Sequence, residues 1–220
     1  MNDLGKSIQY RLTAAKTAQD ADGRKHRSQK SQMLIVNAML DLVAQGNLEP
    51  SADQIAEIAK VGRRSVFRHF SDMDTLYREM NRSIAATMGS IVQQPFEAAD
   101  WRGRVLELVD RRAAGFEKMK PFLLAGLVHR HRSAFLKTAH AQFVAILRNI
   151  LIGILPKDIA RDAVLVEALD VLLSFESWNR LREDQGLSIA KSKRVLKQAI
   201  ESLLESQAGQ DTRRVGAEAP

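Results

Sequence analysis

The chain has 220 residues, of which 45% are hydrophobic but only 5% aromatic, with 5 prolines and no cysteine. That length buries a core in one large or two small domains, and the composition is that of an ordered, mainly helical protein. The lack of cysteine excludes disulfides and thiolate metal sites and suits a reducing compartment. A formal charge of +7 permits a nucleic-acid partner without demanding one. Residues 1–80 carry 12 Lys and Arg against 10 Asp and Glu, a surplus of only +2. Local clustering therefore matters more than the sum: Arg24 to Lys30 and Lys60 to Arg68 each hold four cations and no acid.

Residues 1–27 read as an N-terminal extension. Leu4, Ile8, Tyr10, Leu12 and Ala15 suit a weak amphipathic helix, followed by the polar Asp20 to Gly23. Met1 to Asp20 lacks the apolar core of a secretory signal. The longest apolar stretch, Phe143 to Leu155, has 13 residues and contains Arg148 and Asn149, too short and too polar to span a bilayer. The cytoplasm is the expected location, with no membrane partner. Arg24 to Arg27 is either a basic arm lying against phosphates or the minor groove, or a solvated lead-in.

The first helix is expected from about Ser28 to Gln45, with Met33, Leu34, Val36, Ala38, Leu40 and Leu42 apolar and Gly46 as its stop. The stretch Ser51 to Phe70 then carries most of the information. Ser51 and Gln54 form a capping-box pattern, and Ile55, Ala56, Ile58 and Ala59 give the helix an apolar stripe. Lys60-Val61-Gly62 breaks it, with Gly62 expected to supply backbone angles closed to other residues. The next helix turns Val66 and Phe70 inward and presents Arg63, Arg64, Ser65, Phe67, Arg68 and His69, a face without an acid. A short helix of this kind fits the major groove, where Arg makes paired hydrogen bonds to guanine and Ser takes either role. Two helices joined by a tight turn are the helix-turn-helix arrangement. The competing reading is a charged amphipathic hairpin whose basic face is merely solvated.

Val61-Gly-Arg-Arg-Ser-Val-Phe-Arg-His-Phe-Ser-Asp-Met-Asp-Thr-Leu76 resembles the signature of the tetracycline-repressor (TetR) family of transcriptional regulators. Met33 to Gly46 is similar to that family's first helix, so the resemblance spans about Arg27 to Met80. It implies that Arg63, Arg64 and Ser65 face base edges while Ser51, Phe67 and His69 lie against the DNA backbone. Four positions depart from the pattern: Lys60 stands for the usual turn glycine, Gly62 for an N-cap serine, Phe67 for a tyrosine and Met73 for a lysine. By the resemblance, those changes would remove two phosphate contacts, and Lys60 and Arg68 are the candidates to replace their charge.

A fourth helix is expected after Ser71-Asp72, with Leu76, Met80, Ile84, Met88 and Ile91 on one side and Pro95 beyond its end. It would join the reader to everything downstream. Further helices are expected at about Trp101–Lys118, Pro121–His131, Ser133–Leu155, Lys157–Arg182 and Ser188–Ser206, prolines opening two of these regions. No segment alternates with the period of a strand. The fold class is therefore all-α, about nine helices: a helix-turn-helix DNA-binding head at 28–72, a larger ligand-binding and dimerisation body at 73–206, and a flexible tail at 207–220. On Lys157–Arg182 one side carries Ile159, Ala163, Val166, Leu169 and Leu173, and another carries Leu165, Ala168, Leu172 and Phe175. With Ile189, Leu196, Ile200 and Leu203 of the last helix, this suits a four-helix bundle shared with a second copy, or else an internal core helix.

His129-Arg-His-Arg132 is a conspicuous polar cluster. Histidines two apart on a helix point away from each other, so no metal site is expected, and cations complementing a helix end are the ordinary explanation. No nucleophile elbow, phosphate loop or dinucleotide pattern is present, so no catalytic residue and no cofactor is assigned. An architectural DNA-binding protein and an all-helical enzyme are the alternatives to a regulator. The resemblance also implies an unidentified small-molecule effector held in the body, for which Met88, Phe116, Met119, Phe122, His129, Phe143 and Trp178 are the candidates. A double-stranded, roughly palindromic operator and a homodimer through the last two helices complete the expectation.

Overall fold

The computed structural model describes residues 26–70, 73–92 and 94–217, with side chains described for 26–70, 73–84 and 94–206. Every regular element among them is helical, nine α-helices in all. The expectations for Leu4 to Arg24, for the Ser71-Asp72 cap and for the side chains of Met88 and Ile91 lie outside the described residues. The chain divides into two compact units, Met1–Ala86 and Thr87–Pro220.

In the first unit, α1 covers residues 26–44. It buries Ile35, Val36, Ala38, Met39, Leu42 and Val43, the i, i+3, i+4, i+7 stripe of a helix with one covered face. Met33 and Leu34 were expected in that stripe, but they lie outside it, 66% and 40% exposed. Gly46 ends the helix at φ 90, and the Asn47 N–H returns to the Leu42 carbonyl at 3.0 Å, a Schellman closure that only a left-handed residue permits cheaply. α2 (Ala52–Ala59) and α3 (Arg63–His69) follow, then α4 (Met73–Val92), which buries Leu76 and Met80.

The second unit is built on α5 (Trp101–His129), which packs against α6 (Ala134–Ile154), α8 (Phe175–Asn179) and α9 (Ile189–Ala217). Asp100 caps α5, accepting from the Gly103 N–H at 2.9 Å, and Ser133 caps α6, accepting from the Leu136 N–H at 3.0 Å. The core joins Val105, Leu108, Val109 and Phe116 to Leu151, Leu169, Trp178 and Ile200. Polar clasps tie the outer elements to α5: Asp110 pairs with Lys193 and Lys197 of α9 at 2.8 and 2.7 Å. Glu117 accepts from Trp178 Nε1 at 2.9 Å and from Arg182 Nε at 2.8 Å.

Three expectations about this unit are corrected. Pro121 does not open a helix; it sits inside α5. Proline there removes the hydrogen bond to residue 117 at a cost of about 3 kcal/mol, and Phe116 and Ala125, buried on either side of it, hold the helix through the defect. The single helix expected over Lys157–Arg182 is instead a 3-10 turn (Ile159–Arg161), α7 (Ala163–Leu172), α8 and a wide turn (Arg180–Asp184). Asp162 and Ser174 cause the breaks, since their side chains accept from the N–H groups of Leu165 and Ser177 and so start new helices at each point. α9 continues to Ala217, past Ser206, because nothing between them is a proline. No helix among the described residues is long and apolar enough to cross a membrane.

Candidate nucleic-acid interface

Helix α2 starts as a full capping box. Ser51 Oγ accepts from the Gln54 N–H at 3.2 Å, and Gln54 Oε1 accepts from the Ser51 N–H at 2.9 Å. Ile55, Ala56 and Ala59 are buried, whereas Ile58, expected with them, is 42% exposed. The break that follows differs from expectation in one respect. Lys60, not Gly62, takes the left-handed conformation, at φ 52 and ψ 43, its N–H reaching the Ala56 and Glu57 carbonyls. Gly62 is ordinary extended backbone at φ −68 and ψ 143 and caps α3 without a side chain to do so.

Helix α3 is held from beneath by Val66 and Phe70, each 5% exposed, which at about 1.5–3 kcal/mol per buried side chain is enough to fix a seven-residue helix in place. Its outer face holds the expected residues together. Arg63, Arg64 and Arg68 are exposed, Phe67 is 54% exposed, and Ser65 and His69 are half-buried. Arg63 reaches Asp53 of α2 at 3.2 Å and lies 5.7 Å from the centre of the Phe67 ring. A pair so exposed contributes little, so Arg63 is free to exchange Asp53 for a phosphate or a base. Arg68 Nη2 donates to Ser65 Oγ at 3.4 Å, and no acid stands in the helix itself. His69 is different in kind. Burial, and then the neighbouring Arg68, hold its imidazole below the ordinary value of 6.5, and its buried Nε2 has no partner. At neutral pH it therefore offers a hydrogen bond and not a charge. Lys60 is exposed at the turn, between the two helices.

The candidate ligand residues of the body do not form one group. Phe116 and Trp178 are core, with Phe116 edge-on to Phe175 at 5.5 Å. Met119, Phe122 and His129 are half-buried along α5. Phe143 alone among the described candidates lines the cavity that opens in this unit. His129 ends α5, His131 is exposed beyond it, and the Arg130 Nη1 turns to His140 Nε2 at 2.8 Å. The residue that was overlooked is Arg112, which lines the same cavity and is 7% exposed. It stands on the stripe Val105, Leu108, Val109, Arg112, Ala113, Phe116, a cation at an apolar helical position, and that spacing was readable.

These features define an all-helical chain with an α2–turn–α3 unit that bears an exposed cationic helix. A solved structure with this fold is that of a transcriptional regulator from Rhodococcus sp. Rha1, similar at a TM-score of 0.57 and 14% identity over 81% of this chain and 96% of that one. At that identity the likeness is one of fold. No protein-family model and no curated protein matches the chain.

Proposed function

We propose that this protein is a sequence-specific DNA-binding transcriptional regulator of the tetracycline-repressor type, acting as a ligand-responsive homodimeric repressor in the cytoplasm. The observation that carries the reading is the outer face of α3: three arginines, a serine and an exposed aromatic, with no acid, seated on two buried side chains behind a tight turn. Arg63, Arg64 and Ser65 read base edges; Ser51, Phe67 and His69 touch the DNA backbone, and Lys60 and Arg68 add phosphate charge. The regulator named above shares the fold, which adds support for a regulatory role.

Support for the homodimer comes from apolar surface on α7 and α9, which pack against each other. The stripe that suggested a shared bundle is instead internal core, with Leu165, Val166, Leu169, Leu173, Phe175, Leu196 and Ile200 all buried within the chain, and the apolar side chains left for a partner are Val164 (79% exposed) and Val171 (62%) on α7 with Ile189 and Val195 on α9. A second copy would bring two readers to half-sites about one helical turn or a multiple apart. An effector acts only if it binds one arrangement of the two readers better than the other, with α4 as the continuous element between reader and body.

Selection of bound sites from random duplexes at near-physiological salt tests the proposal. A two-fold symmetric motif is the expected result. Binding without any sequence preference, with a steep salt dependence, would make the protein architectural, and turnover of a small molecule would make it an enzyme.

A further inference from the structure

The second unit contains a partly open cavity of about 80 Å³ whose wall is largely Leu123, Leu127, Phe143, Val144, Leu147 and Phe175. At roughly 10–15 Å³ per water, that is room for about six waters, the bulk of one ring or a short chain with a small substituent. Into this apolar space α5 brings Arg112. Its Nη1 donates to the Leu173 carbonyl and its Nη2 to the Leu147 carbonyl, both at 2.7 Å, while the buried Nε has no partner. Both of those acceptors are neutral. Burial lowers the guanidinium to about 10, against the pull of Asp170, so it stays a cation at neutral pH.

Two acids also border the cavity: Asp170 already faces a cation, and Glu176, which is exposed, faces a histidine that burial and Arg130 hold below its ordinary value. Asp170 is bonded to Arg148 at 3.1 Å. Glu176 lies 4.0 Å from His140, whose Nε2 meets Arg130. The group left over is a buried donor carrying positive charge, and such a donor is costly to leave without an acceptor. Its best acceptor is an anionic oxygen, because charge-assisted bonds of this geometry are about twice as strong as neutral ones.

We infer that this cavity binds a small, mainly apolar carboxylic acid, with its ring or chain against Leu123, Phe143 and Val144 and its carboxylate against the guanidinium of Arg112. The acid is the chemical class of the effector in the function proposed above, and its regulatory meaning rests on that reading. Its binding does not, and is measured without DNA.

The test is calorimetric titration of the full chain with benzoate, phenylacetate and hexanoate, each beside its neutral amide and its matching amine. The expected result is that at least one acid binds about tenfold or more tightly than its amide, the worth of one charge-assisted bond, and that the amines bind no better than the amides. Val144→Phe, which fills the cavity from a partly exposed wall position, is expected to abolish that binding with helical content unchanged. Arg112→Met is expected to equalise acid and amide; if it does not fold, the ligand series on the unaltered chain and V144F still decide. The inference is overturned if none of the three acids binds, if amide equals acid, if an amine binds best, or if V144F binds as the unaltered chain does. An acid that binds yet leaves operator affinity unchanged removes the effector role and leaves the site standing.

Discussion

The turn before α3 holds its two special residues in the opposite places from those that backbone chemistry favours, which makes it a quantitative test. Lys60 pays for a left-handed conformation, at about 1–2 kcal/mol for a residue with a side chain. Its side chain is exposed, so removing it costs no packing. Lys60→Gly should recover that strain, less about 0.5–1 kcal/mol for the extra freedom of glycine in the unfolded chain, leaving a net gain of roughly 0.5–1 kcal/mol. Gly62 stands at the N-cap of α3 with extended angles, and a β-carbon at that position would meet nothing within 4 Å. Gly62→Ser should therefore be free of clashes and add a cap bond together with lost unfolded-state freedom, about 0.5–1 kcal/mol. The double variant should gain roughly 1–2 kcal/mol, a rise in Tm of about 2–8 °C at 2–4 °C per kcal/mol, measured by circular dichroism and checked by urea denaturation. In DNA binding, Lys60→Gly should weaken affinity across all sequences and make the salt slope shallower by about one phosphate contact. A double variant less stable than the starting chain would refute the assignment of strain to Lys60.

The remaining predictions concern the reader and the joints of the body. Arg64→Ala should cost about 1–3 kcal/mol of specific binding and relax preference at one base position; a loss equal over all sequences in competition assays would make Arg64 a phosphate contact. Ser174→Ala removes the cap that starts α8 and should destabilise the protein by about 1 kcal/mol in thermal unfolding, whereas a helix running unbroken from α7 would not feel the change. Glu117 is held below its ordinary value of 4.5, first by the hydrogen bond from Arg182 and also by that from Trp178. Its contribution is thus complete above pH 4.5 and is lost as pH falls through the lower folded value. Trp178 fluorescence, read in a Trp101→Phe background, should shift in that acid window, and Glu117→Gln should remove the shift.

What the sequence disclosed, and what it hid, follows the range of the forces involved. The capping box at Ser51 and Gln54, the stop at Gly46 and the Val66–Phe70 anchor are decided within a turn or two of chain, and all were readable as written. The face of α3 was readable for the same reason, since its residues are consecutive and need no distant partner. The exposed Met33, Leu34 and Ile58 show where periodicity falls short: a stripe of apolar residues does not say where the covered arc ends. Pro121 and the broken Lys157–Arg182 segment went the other way, because tertiary packing carried α5 through a proline while Asp162 and Ser174 interrupted a run of otherwise helical residues. The Arg112 cavity depends on carbonyls of Leu147 and Leu173, 35 and 61 residues away, and no local pattern announces such partners.

The central claim is that the cationic face of α3 distinguishes one DNA sequence from another. Its most direct test is a competition titration at about 150 mM salt between a duplex recovered by selection and a scrambled duplex of equal length and base composition. A preference of about a thousandfold or more for the recovered duplex is expected, lost when Arg63 and Arg64 are both changed to Ala. Equal affinity for the two duplexes would contradict it.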